Sequence, residues 1–349
     1  MEACRLTPRS PPLVSVLLPV RRPRPSTAAA VASILAQSES DLELLVIGHD
    51  DVGELVARLP SDPRLRGVRR ASPGIVGALT SGLAAARGRY IARMDDDDVA
   101  RPDRLAVQLA HLREHPEIGL VGARVRLVDE RGGREGIGPG NRRYEAWLNA
   151  LTTPPAIRDA CFVECPLPHP TWLAHRDVWA SLGGYRDIDG PEDHDLVLRA
   201  RNAGIGMGKP GPVLLDWREH PERLTRRDPR YRREAFTDVR ARAALDPASG
   251  FGLEAGREAW ICGTGRNARW WCDALLRRGA AVAGFVDLDR PGTRQRKRHR
   301  PVIGYRELWA RRGESLIVTA ITNPEARAAL VGEFGARGLV NGRDYLLGG

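Results

Sequence analysis

Lysine is nearly absent. Lys209 and Lys297 are the only two lysines among 54 basic residues in a chain of 349, so arginine carries almost all of the formal net charge of +10. Such a skew follows codon composition more readily than a nucleic-acid surface, and a high isoelectric point alone does not select DNA or RNA. No nucleic-acid partner is expected. Cysteine is scarce too: Cys4, Cys161, Cys165, Cys262 and Cys272 form an odd set without paired CxxC units, which argues against a disulfide framework or a zinc site. No run of about 18 apolar residues occurs, and the opening "MEACRLTPRSPP" lacks the apolar core of a signal peptide. A cytoplasmic protein is expected, with peripheral contact at the inner face of a membrane left open. No internal repeat is visible.

What is present reads as an ordinary globular chain, with 42% hydrophobic and 28% charged residues. Its length exceeds the roughly 100–200 residues usual for one domain, so two are expected. "PLVSVLLPV" (Pro12–Val20) is a short β-branched apolar run of the kind buried in parallel sheets, "STAAAVASILAQS" is helical, and "LELLVIG" completes a βαβ unit. The alternation continues through the helix "GIVGALTSGLAAARG", the strand "RYIARM", the amphipathic helix "RPDRLAVQLAHLREHP" and a strand over Ile118–Asp129. From Gly132 to Pro168 a Gly- and Pro-rich segment reads as less regular, and "DHDLVLRARNAG" is helical again. These signals predict an open, mostly parallel α/β sheet, which binds ligands outside the carboxyl ends of its strands.

One of those ends carries Asp95, Asp96, Asp97 and Asp98 in succession. Two readings are open. A solvated turn or helix N-terminus favours carboxylates through the helix dipole. Alternatively, a cation neutralises the cluster, because four repelling carboxylates otherwise raise one another's pKa. Oxygen-only ligands suit Mg²⁺ or Mn²⁺ held by one or two carboxylates plus substrate phosphates, which points to a diphosphate ligand.

Five stretches together, "VSVLLPV", "SILAQSESDLELLVI", "ALTSGLAAARGRYIARMDDDDVARPDRLAVQL", "HPTWLAHRDVWASLGGYRD" and "GPEDHDLVLRARNAG", resemble the successive motifs of family 2 glycosyltransferases with the GT-A fold, over about Pro12 to Tyr231. The resemblance implies an inverting, metal-dependent transfer from a nucleotide-diphospho sugar, UDP-linked by expectation, to a glycan or lipid-linked acceptor. Asp95-x-Asp97-Asp98 matches the DxD element: Asp97 is the expected main metal ligand with Mn²⁺ or Mg²⁺, and Asp95 and Asp96 lie on the nucleotide side. Of the four, Asp98 supports its neighbours and Asp96 is the one expected to tolerate alanine. Pro19 and Val20 match positions lining the base. Asp193 matches the catalytic base and Glu192 its orienting partner, although a carboxylate pair ahead of "LVLRAR" also serves as a plain helix cap. His220 matches a position near the diphosphate, is counted with Asp97 at the metal, and is equally readable as a partly exposed histidine of a basic segment. His169, Gly184 and Tyr185 fall on the acceptor side, and His169 also admits a purely structural role. In an inverting displacement one carboxylate takes the acceptor proton while the metal stabilises the departing diphosphate.

Two departures bear on the base. The second strand usually ends in Asp-Asp-Gly-Ser, whereas here Gly48-His49-Asp50-Asp51 follows, leaving Asp50 as the substitute; Thr80 stands where the family usually has Asn.

Beyond "DPASGFGLEAG" the chain begins afresh. "ICGTGRNA" sets Gly263, Gly265 and Ala268 between a strand and a helix, and Asp287 ends the next strand, which resembles a dinucleotide fingerprint. About ninety residues suggest half of a dinucleotide domain, used for packing, dimerisation or nucleotide sensing rather than hydride transfer. The expected division is a GT-A domain over 1–245, a linker over 246–256 and a Rossmann-like domain over 257–349. The runs "RLTRRDPRYRR" and "RQRKRHR" read either as solvated faces or as contacts to anionic lipid.

Overall fold

The structure, a computed structural model, describes residues 10–288 and 296–349. Cys4, most of the opening segment and the start of "RQRKRHR" at Arg294 lie outside the described residues. Two compact units emerge. The first gathers the chain up to Thr152 with Leu167–Tyr185 and Met207–His220; the second holds Thr153–Pro166, Arg186–Gly206 and Pro221–Gly349.

The strands in chain order are β1 (Val14–Pro19), β2 (Leu42–Gly48), β3 (Leu65–Arg69), β4 (Tyr90–Arg93), β5 (Val99–Ala100), β6 (Ile118–Val121), β7 (Arg124–Val128), β8 (Leu173–His175), β9 (Gly206–Gly208) and β10 (Val213–Arg218). The main sheet has the order β3-β2-β1-β4-β8-β6-β9. β3, β2, β1 and β4 run parallel, and β8 is antiparallel to both β4 and β6. Every residue of β1 and β2 is buried, as strands covered on both faces require. The strand order reverses between β1 and β4, so the switch point lies where Pro19 and Met94 end those strands.

Glu43, near the start of β2, ties the opposite end together. Its carboxylate accepts from Ser15 Oγ at 2.7 Å, Arg87 N at 2.7 Å and Arg66 Nη1 at 2.6 Å. Burial raises its pKa, but these donors outweigh it and hold the carboxyl below its ordinary value.

A second sheet, β5-β10-β7, stands beside the first. It corrects one expectation: Ile118–Asp129 is two strands, not one, with β6 in the main sheet and β7 in the small one. The chain breaks at Gly122, where a Cβ would stand 2.9 Å from Leu167 Cδ2, and Ala123 N–H leaves the ladder to donate to Thr171 Oγ1 at 3.0 Å. The segment from Gly132 is also more regular than its composition suggests. It contains helices Pro139–Ala150 and Pro154–Ala160, each with proline in its first turn. The first of these buries only Leu148, which leaves little apolar periodicity to read.

The second unit carries a sheet of order β13-β14-β12-β11-β15-β16, built from β11 (Ala259–Cys262), β12 (Val282–Asp287), β13 (Arg296–Lys297), β14 (Arg300–Gly304), β15 (Leu316–Thr319) and β16 (Tyr345–Leu347). Five of these strands are parallel. It is therefore larger than the half-domain expected from length, because short connections leave room for all five. The helices Glu192–Asn202 and Arg233–Ala244 belong to this unit. So do segments 153–166, 186–206 and 221–245, which the sequence division assigns to the first domain.

Candidate functional site

At the switch point of the first unit the chain leaves β4 through Met94 into the four aspartates and then enters β5. β5 pairs antiparallel with β10, Asp216 facing Val99. Continuing that ladder by two or three residues sets the end of β10 beside the aspartates. Arg218 N donates to Asp98 Oδ1 at 2.8 Å, and His220 Nε2 lies 2.7 Å from Asp97 Oδ2. Asp95, Asp97 and Asp98 each place a carboxylate oxygen within 4.8 Å of the others. Such a set of oxygen donors fits a hard divalent cation.

The four aspartates are not equivalent. Asp98 is fully buried, whereas Asp95 and Asp97 are partly exposed. Asp96 stands outside the cluster and accepts from Thr27 Oγ1 at 3.4 Å. Burial first, then its neighbours Asp97 and Asp95, push its carboxyl up to about 7, against the pull of Arg24. Beneath the carboxylates lie two buried guanidiniums that the sequence reading does not single out. Arg93 Nη2 is 2.5 Å from Asp95 Oδ1. Arg104 donates to Arg93 O at 2.6 Å and to Gln108 Oε1 at 3.1 Å. Burial lowers the Arg93 pKa, but Asp95, Tyr185 and Asp98 outweigh it and the net shift is upward. Burial pushes Arg104 down to about 9, with Arg93 adding to the fall. The legible signal was an arginine inside the apolar strand "YIARM".

Among the other expected residues of this unit, Val20 is buried and its N–H donates to Ile47 O at 2.8 Å, which fixes Pro19 and Val20 at the edge of the switch point. Asp50 is exposed and ion-paired to Arg69. His169 and Tyr185 are brought together, His169 Nε2 lying 2.6 Å from the Tyr185 hydroxyl. Burial, reinforced by Arg93, holds the His169 ring well below its ordinary pKa, so the imidazole is neutral. Gly184 adopts φ +62° and its N–H donates to Trp179 O at 3.0 Å.

In the second unit Glu192 and Asp193 open the helix Glu192–Asn202 directly after Pro191. Both Glu192 oxygens accept from the Tyr231 hydroxyl at 2.9 Å, and Arg230 Nη1 stands 3.7 Å away. Burial, with Glu192 and Asp193 next, raises the phenol well above its ordinary pKa, so Tyr231 remains a donor. Glu192 is buried and Asp193 only partly so, which makes Asp193 the more accessible carboxylate. Tyr231 and Arg230 lie in the run read from sequence as a basic surface, and that reading missed their contact with Glu192.

Gly263 follows β11 with φ +99°, a backbone favourable to glycine, and its N–H donates to Val286 O at 2.7 Å. Gly265 caps the helix Arg266–Arg277. Asp287 is already engaged: one oxygen accepts from Thr264 Oγ1, the other from Leu288 N.

A mostly parallel mixed sheet with clustered carboxylates at its switch point is the arrangement of GT-A transferases. The chain belongs to glycosyl transferase family 2, whose model matches residues 15–158. It is 30% identical over 217 residues to the O-antigen biosynthesis glycosyltransferase WbnJ of Escherichia coli, covering 60% of this chain and 80% of that protein. The uncharacterized protein y4gI of Sinorhizobium fredii is 28% identical over 225 residues, 60% of this chain but only 23% of that relative's length. In fold, the chain is similar to S. aureus TarS 1-349, solved in complex with UDP-GlcNAc, at TM-score 0.51 and 14% identity, covering 67% of this chain and 66% of that one.

Proposed function

We propose that this chain is an inverting, metal-dependent glycosyltransferase of the EC 2.4 class that moves a sugar from a UDP-linked donor to a glycan or lipid-linked acceptor. The observation that carries the reading is the oxygen cluster of Asp95, Asp97 and Asp98, with His220 on Asp97. Bound there, Mn²⁺ or Mg²⁺ would neutralise charge growing on the departing diphosphate. Asp97 is the main ligand, His220 holds it, Asp98 supports it, Asp95 faces the ribose with Asp96 beside it, and Pro19, Val20 and Asp50 line the base. Asp193 accepts the proton of the attacking hydroxyl while Glu192, fixed by Tyr231, sets its orientation. His169, Gly184 and Tyr185 receive the acceptor. The name of WbnJ supports a glycan as acceptor. The transferase part is assigned to 1–245 and the Rossmann-like part, after a linker at 246–256, to 257–349.

The test is to replace Asp193 by Asn and follow both sugar transfer and binding of UDP with Mn²⁺. Transfer is expected to be lost with binding intact; near-wild-type turnover would remove the assignment. A second reading, a nucleotide-binding or regulatory protein working through Gly263, Gly265 and Asp287, draws on the glycine turn after β11. Calorimetry of the full chain with UDP plus Mn²⁺ against NAD(H) and NADP(H) separates the two. The exposed arginines Arg226, Arg227, Arg232 and Arg233 support peripheral contact with anionic lipid. Flotation on vesicles with and without anionic lipid tests that contact. Among the described residues no helix is long and apolar enough to cross a membrane.

A further inference from the structure

Arg93 occupies an unusual place for a cation. Its side chain is 4% exposed at the end of β4, with Asp95 on one prong of the guanidinium. Its Nε and Nη1 groups are buried and have no hydrogen-bond partner among the described residues. Arg104, also fully buried, adds a second positive charge close by. A buried ion is stabilising only when its attractions and hydrogen bonds repay its lost hydration. The attractions of Asp95, Tyr185 and Asp98 outweigh the burial of Arg93, but two of its donor groups remain unpaired among the described residues. A buried donor left unsatisfied needs an explanation, and a functional site is one of the standard ones.

The neighbours supply it. Asp95 belongs to the oxygen cluster, and its Oδ1 is the oxygen ion-paired with Arg93. Tyr185 and Asp98 also lie within electrostatic reach of the guanidinium, as does His169. Arg93 is therefore ion-paired with one donor-side carboxylate and within electrostatic reach of the His169–Tyr185 pair. Resting on the donor-site reading above, we propose that Arg93 is a positioning residue that holds Asp95 in the orientation needed to bind the metal-nucleotide donor. It acts through Asp95 and touches no substrate atom. A residue that orients a ligand from behind typically changes metal affinity about 10–100-fold when removed.

Reading affinity beside stability separates positioning from a purely structural role. Arg93→Met and Arg93→Lys are prepared in the full chain. Three quantities are measured: the ligand-free melting temperature, Mn²⁺ affinity by electron paramagnetic resonance, and UDP affinity by calorimetry in the presence of Mn²⁺. Arg93→Met is expected to lose about tenfold or more in UDP and Mn²⁺ affinity at a temperature where its melting curve shows it folded, and Arg93→Lys is expected to recover part of that loss. An Arg93→Met protein that binds UDP and Mn²⁺ within twofold of wild type overturns the proposal. So does an Arg93→Met protein that fails to fold together with an Arg93→Lys protein that binds both ligands within twofold of wild type, since that marks a structural residue. If the wild-type chain itself binds neither UDP nor Mn²⁺, the donor-site reading falls first, and the role of Arg93 falls with it.

Discussion

The four consecutive aspartates acquire distinct environments from contacts that their own stretch of chain does not contain. Asp97 meets His220, 123 residues away, and Asp98 meets the Arg218 backbone, 120 residues away. Asp96 instead takes the Thr27 hydroxyl. Asp97→Ala is expected to weaken Mn²⁺-dependent UDP binding by about a hundredfold, and His220→Gln by about tenfold, following the usual sizes for a metal ligand's outer partner. Titration calorimetry with and without Mn²⁺ reads both, and equal UDP affinity in all three proteins would refute the assigned roles. For Glu192 the test is Tyr231→Phe. Both carboxylate oxygens lose a donor, so turnover is expected to fall about tenfold or more while UDP affinity stays within twofold; steady-state kinetics beside calorimetry checks it.

At the level of elements, position is settled by where strands end and what they pair with. β5 is only two residues long, and its pairing with β10 carries Arg218 and His220 to the aspartates. The break at Gly122 is equally specific. The Thr171 hydroxyl donates to Pro168 O at 2.7 Å and accepts from Ala123 N, so it closes a buried corner between β6 and β7. Thr171→Val removes both bonds and is expected to cost about 1–3 kcal/mol. Urea unfolding at constant m-value measures it, and a change under about 0.5 kcal/mol would count against the corner as a stabilising feature.

Across the whole molecule, acid should act on each unit through a different buried group. In the first unit Glu43 is held below its ordinary pKa, so its contribution is present above about pH 4.5 and lost as pH falls through the lower folded value. Glu43→Gln should therefore destabilise at neutral pH and differ less from wild type in acid. In the second unit burial, with Arg240 adding, holds His194 down to about 3 while its ring nitrogen contacts Cys161 O at 2.6 Å. A histidine kept neutral in the fold favours folding above its unfolded pKa of 6.5 and opposes it progressively as pH drops from there. His194→Gln is expected to flatten the pH dependence of melting between about pH 6.5 and 3. Melting curves across that range, on wild type and both variants, test the two signs together, and parallel curves for all three would refute them.

Much of this was legible along the chain. Buried strands announce themselves as apolar β-branched runs, the glycine turn after β11 marks a strand-to-helix passage, and the ordered motifs carry family membership, because each depends on neighbours within a few residues. The helix Pro139–Ala150 was not legible, since it buries a single side chain, and neither was the split at Gly122, which depends on Leu167 and Thr171 from a later segment. Arg93 looked like one more arginine in an arginine-rich chain. The sequence alone determined which chemical groups the protein possesses and the alternation that builds its sheets. Only the tertiary structure decided which partner each group meets, because β5, β10 and the buried guanidiniums bring together residues that share no local pattern.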